Sequence, residues 1–106
     1  EPITLVGGNP ENRELPPNVT LQGTVAYEHM VREFNNHVRF LHLPSNTQPF
    51  ERTVAESILA GCKVTANKNV GALSWPFMHQ GREAVAQDLS LAPARFWAAL
   101  EGAFKP

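Results

Sequence analysis

The sequence has one cysteine, Cys62, in 106 residues, and a single thiol excludes an internal disulfide. No apolar run approaches the ~18 residues that a membrane-spanning helix needs. The N-terminus shows no basic segment followed by an apolar one, so no signal peptide is read there. An excess of charge of one sign is also missing: nine Lys and Arg stand against ten Asp and Glu, a formal net charge of -1. No global field therefore draws the chain to nucleic acid or to an anionic membrane, and any bound anion must be held locally. The four histidines, His29, His37, His42 and His79, lack the paired spacing of zinc sites. These absences lead to the expectation of a cytoplasmic protein with no metal, no cofactor and no nucleic-acid partner. The sequon Asn18-Val19-Thr20 is then a chance match, because glycosylation needs a secretory route. The chain opens on Glu1 and by Ile3 is already in the apolar run "ITLVG", which gives the expectation of a segment cut from something longer.

What is present reads as one domain, residues 1–106, of mixed α/β type. "ITLVG" (3–7) and "VTLQG" (19–23) are short strands closed by glycine, separated by the Pro- and Asn-rich loop "NPENRELPPN". From Val25 to about Asn36 the apolar Tyr27, Met30, Val31 and Phe34 fall at helical spacing. "VRFLHLP" (38–44) is a third strand, on which His42 reads as a core or near-core histidine. In "RTVAESILAG" the residues Val54, Ala55, Ile58 and Leu59 form one helical face that stops at Gly61. "CKVTA" (62–66) is a fourth strand, with Cys62 as a small packing residue. "REAVAQDLS" carries no clear pattern. Pro93 is then placed where a last helix can start, with Phe96, Trp97, Leu100 and Phe104 on a connected face suited to core or interdomain packing. Strands alternating with helices predict a mostly parallel sheet of about four strands.

In an open parallel sheet, ligands sit beyond the carboxyl ends of the strands, where helix N-termini offer N–H groups to phosphate. Two segments occupy such positions, Pro44 to Thr53 and Asn67 to Leu73. Glu56 follows about one turn into the helix and off its apolar face. A carboxylate there suits the hydroxyls of a ribose; it suits equally a solvated glutamate near the favourable end of the helix dipole.

The stretch "HLPSNTQPFERTVAESILAGCKVTANKNVGAL" narrows the choice. Residues 38–74 resemble the C-terminal, nucleotide-sugar-binding domain of retaining glycosyltransferases of the two-Rossmann-domain GT-B type, the glycosyl transferases group 1 family. That family reads strand, Pro-Ser, a glutamate, seven residues, Glu-Ala-x-x-x-Gly, a short apolar strand and an Asn-x-x-Gly loop. The upstream "ITLVGG" and "LPPNVTLQGTVAYEHMVREFNN" fit more loosely. The resemblance implies a Rossmann-like three-layer sandwich and a nucleoside-diphosphate sugar donor from which a hexosyl group passes to a glycan or lipid-linked acceptor. It puts the ribose on Glu56 and the diphosphate and sugar near Phe50, Arg52 and Thr53. The base falls near Gly23, Thr24 and Val25, and Asn69 to Gly71 close the far side of the cleft.

Two departures from the family matter most. Gln48 stands in the catalytic position where the first glutamate of the pair is expected, so it can hydrogen-bond but carries no charge. Glu51 stands where the family often has a small residue, close to the implied diphosphate. The resemblance begins at the family's second strand. The first strand with its Arg/Lys pair, and the acceptor-binding N-terminal domain, are therefore expected outside this chain, which alone would not transfer sugar. The gap left by that strand either stays open or is closed by pairing of "ITLVG" with "RFLHLP", and exposed edge and apolar surface favour a homodimer. A degenerate, non-catalytic Rossmann-like module for binding or assembly is the alternative. A receiver-type signalling domain ranks last, because "ITLVGGN" lacks the acidic cluster such domains need.

Overall fold

A computed structural model describes residues 1–9 and 11–104. The chain divides into two compact units, Glu1–Glu33 and the residues from Phe34 onward.

In the first unit, β1 (Ile3–Val6) pairs in parallel with β2 (Val19–Gly23). Ile3 lies opposite Val19 and Leu5 opposite Leu21, and the register slips between Leu5 and Val6 so that Val6 meets Gly23. Gly7 and Gly23 have φ of 109° and 80°, a region that a Cβ disfavours, and the Gly7 N–H donates to Gly23 O at 2.8 Å. The glycines read as strand ends thus close the pair. None of the described side chains of this unit is buried, and Ile3, Val6 and Leu21 are exposed. The helix expected from Val25 starts as a 3-10 turn, Tyr27–His29, and becomes α1, Met30–Asn35. Of its apolar stripe only Phe34 is buried; Tyr27 and Val31 face solvent.

The second unit is built on a βαβ arrangement of β3 (Arg39–His42), α2 (Arg52–Leu59) and β4 (Lys63–Ala66). The two strands are parallel and paired without a slip, Phe40 opposite Val64 and His42 opposite Ala66. Strand periodicity puts Phe40, His42, Val64 and Ala66 on one face, half-buried, and Arg39, Leu41, Lys63 and Thr65 on the other, exposed. Against the covered face lies the core: Val54 and Ala55 of α2, Val70, Ala72, Met78 and Val85, with Phe40, Val64 and Leu89 packed around it. Val54 and Val85 have no accessible surface, and each such side chain contributes roughly 1.5–3 kcal/mol by leaving water. Ser57, also fully buried, satisfies its hydroxyl on Val54 O at 2.7 Å. Gly61, at φ 96°, ends α2 as its sequence position implies. Its N–H donates to Ile58 O and that of Cys62 to Ser57 O, both at 2.9 Å, the paired bonds of a Schellman turn.

Two sequence expectations change here. The strands pair two and two, β1 with β2 and β3 with β4, instead of forming one sheet of about four strands. Pairing partners are long-range choices that local periodicity does not encode. The last helix also does not begin at Pro93: α3 runs from Arg82 to Phe104 with Pro93 inside it. Val85 and Leu89 pack into the core and fix the first half as helix, so the proline ring removes one bond, to the carbonyl of Leu89, without ending the helix. Beyond it Phe96, Trp97, Leu100 and Phe104 are all exposed, so the expected packing stripe is no part of this unit's core. No helix among the described residues is long and apolar enough to cross a membrane.

Candidate functional site

Because β3 and β4 are parallel, their carboxyl ends at His42 and Ala66 lie together, and the two loops that leave them are tied into one wall. Gln48 forms an isolated parallel bridge with Val70: its N–H donates to Asn69 O at 2.7 Å, and the Gly71 N–H donates to Gln48 O at 2.8 Å. The side-chain amides of Asn67 and Asn69 both donate to the carbonyl of Pro44 at 2.9 Å. Asn67 Oδ1 in turn accepts from the Asn69 N–H at 3.1 Å. Gly71 permits the approach. A Cβ on it would lie 2.8 Å from the Pro49 carbonyl carbon and nearer still to the carbonyl oxygens of Pro49 and Gln48.

This wall carries a polar cluster. His42 Nε2 is 2.9 Å from Gln48 Oε1 and 3.9 Å from Glu51 Oε2. The ring is held from behind by stacking on Phe40, centroids 5.7 Å apart, and Phe40 meets the buried Phe34 edge-on at 5.3 Å. The other oxygen of Glu51 accepts from the Thr53 hydroxyl at 2.8 Å and from the Thr53 N–H at 3.3 Å, capping α2. The helix N-terminus expected to face a phosphate therefore has one of its N–H groups taken by the chain's own carboxylate. Arg52 Nε and Glu56 Oε1 pair at 3.2 Å across one turn of α2, with Glu56 mostly covered and Arg52 largely exposed. Phe50, two residues before Arg52 in the chain, is exposed.

The second unit thus brings together Gln48, Thr53, Glu51 and His42, with the Arg52–Glu56 pair on the same helix. Gly23, Thr24 and Val25 belong to the first unit, where Gly23 ends β2, Thr24 is exposed and Val25 is half-buried. Sequence reasoning missed His42. It alternates with Phe40 on the covered face of β3, and so reads as core; its place as the last residue of that strand was the available signal. Among the described residues no group of three or more His, Cys, Asp or Glu side chains is placed to hold a metal ion.

Cys62 stands apart from this cluster and packs as its pattern implies. Its thiol points at the carbonyls of Phe34 and His37, 3.2 and 3.4 Å away, and burial raises its pKa above the ordinary cysteine value. A raised thiol pKa stabilises the fold below the pKa of the unfolded thiol, and the contribution is lost as pH rises toward the folded value. The expected result at pH 7 to 8 is alkylation by iodoacetamide at least tenfold slower than for an exposed cysteine, with full reactivity in urea; equal rates in both conditions would contradict this burial.

Comparison of the chain with protein-family models, with curated proteins and with solved structures finds no match.

Proposed function

We propose that this chain is the donor-binding part of a glycosyltransferase, taking a nucleoside-diphosphate sugar whose hexosyl group passes to a glycan or lipid-linked acceptor held elsewhere in the full enzyme. One observation carries the reading: two parallel strands end together at loops that gather Gln48, Thr53 and the Arg52–Glu56 pair, which is where open α/β sheets bind their ligands. On this reading β3, α2 and β4 are part of a Rossmann-like three-layer sandwich. Glu56 accepts the ribose hydroxyls, and Arg52, the nearest cation on the helix, turns to the diphosphate.

Titration with UDP and GDP, followed by ligand-observed NMR, tests it. Saturable binding of one nucleotide is expected, weakened about tenfold or more in Glu56→Ala, since hydrogen bonds to a charged group contribute ~1.5–3 kcal/mol. The same substitution lowers stability by only about 0.3–0.5 kcal/mol, because an i,i+4 pair at a helix surface contributes little. Unchanged affinity in the variant would remove Glu56 from the site.

A second reading, a degenerate module for binding or assembly, is favoured by the Glu51 cap, which fills a position that a phosphate would need. Its expected signature is no binding of either nucleotide together with a concentration-dependent mass, from a homodimer, in sedimentation equilibrium.

A further inference from the structure

We infer that the chain pairs with a second copy of itself: the outer half of α3 in one copy lies across the bare face of β3 and β4 in the other, and the exchange is reciprocal. The inference uses none of the residues gathered at the strand ends, and it stands whether or not the chain binds a nucleotide.

The bare face lacks what parallel strands require. Such strands are almost always covered on both sides, yet only one side of β3 and β4 meets the core. The other shows Arg39, Leu41, Lys63 and Thr65 to solvent, with Leu41 51% exposed. Arg39 stands directly opposite Lys63, a placement in which like charges repel. Neither has an ion pair among the described residues. A cover for this face therefore needs an apolar stripe with a carboxylate beside it.

The outer half of α3 carries both. The helix face that seats Val85 and Leu89 in the core continues through Pro93 to Phe96, Leu100 and Phe104, at spacings of three and four residues. Phe96, Trp97 and Phe104 are 60%, 59% and 81% exposed. Glu101 follows Trp97 by four residues and precedes Phe104 by three, so it borders the stripe. With Trp97, Leu100 and Phe104 it lines a shallow groove. Glu101 has no ion pair among the described residues, whereas Arg95 of the same half is already held by Asp88 at 2.8 Å.

The two surfaces agree in length. With Glu101 set beside Arg39 and Lys63 and the helix antiparallel to the strands, Trp97 lies roughly 6 Å back along the helix and Leu41 roughly 7 Å along the strand. Aromatic ring then meets leucine. At these exposures the three aromatic side chains contribute roughly 400 Å² of surface. The strand surface they cover and the two-fold repeat bring the total to about 1,600 Å², the usual size of a stable interface. Reciprocal exchange closes at two copies, where one-way docking would run on as a filament.

Sedimentation equilibrium tests the pairing. Monomer and dimer in exchange are expected, with dimerisation weakened about tenfold or more in Trp97→Ala. Glu101→Lys should weaken it as much, and so should Arg39→Glu combined with Lys63→Glu. A chain carrying all three charge reversals should dimerise again, because the facing charges are once more opposite. Every altered residue is exposed, so far-UV circular dichroism should not change. A monomer at every concentration overturns the inference, and so does an open-ended series of species. A dimer that withstands the Arg39 and Lys63 reversals but not Trp97→Ala would pair helix with helix, and overturns it as well.

Discussion

Gly71→Val is expected to destabilise the second unit by about 3 kcal/mol, the upper range for overpacking a site that cannot yield. The added atoms would run into backbone, the carbonyl groups of Gln48 and Pro49, and backbone held by ladder bonds has nowhere to move. The bridge between Gln48 and Val70 must open, losing the bonds at 2.7 and 2.8 Å that join the two loops. In urea the unfolding midpoint should fall by roughly 1–3 M for a domain of this size, and any ligand affinity that depends on Gln48 should fall with it. Gly102→Ala is the control: nothing lies within 4 Å of its Cβ position in α3. In the exposed last turn of the helix that change should leave the urea midpoint essentially unchanged. A Gly71 variant as stable as the unaltered chain would mean that the two loops are not locked together.

The second large effect is local. Pro93→Ala should strengthen the exposed half of α3 by about 3 kcal/mol, the difference between proline and alanine in a helix interior. No described side chain from Leu91 onward in this helix is buried, so the gain should appear in the helix itself and hardly at all in global unfolding. Amide exchange of residues 97–104 should slow by about a hundredfold, since each 1.4 kcal/mol is a factor of ten, while the urea midpoint changes little. A shift in that midpoint as large as the local gain would mean that the second half of α3 is packed and cooperative with the core.

These two positions also show what could be read from the sequence. Gly61, Val54, Ala55 and Ile58 defined α2 and its end because apolar spacing and a terminal glycine are local signals, and the structure has that helix with that turn. β1, β2 and β4 followed in the same way from short branched runs. Pro93 misled because the same residue serves as a helix start and as an interior interruption, and only the seating of Val85 and Leu89 against the core decides between them. The division of the strands into two pairs depends on partners far apart in the chain. At the site, Glu56 was singled out by its place on the helix and Gln48 only by the family resemblance, but the link from His42 to Gln48 and Glu51 spans six and nine residues of irregular loop, where no periodicity exists to be read. The resemblance put Gly71 in a loop beside the site, but the reason for a glycine there, close approach to the backbone of Gln48 and Pro49, was not legible.

The sparse interior has a thermal consequence. Among the described residues the buried apolar side chains are confined to Phe34, Val54, Ala55, Cys62, Val70, Ala72, Met78 and Val85. Since the heat-capacity increment of unfolding grows with the apolar surface newly exposed, this chain should fall below the usual ~12–15 cal/mol/K per residue. Its stability then traces a shallow arc with temperature, losing little on cooling and melting over a broad interval. For such a fold, cold is a minor threat, and a bound ligand shifts the melting temperature further per unit of binding energy than it would in a densely filled domain.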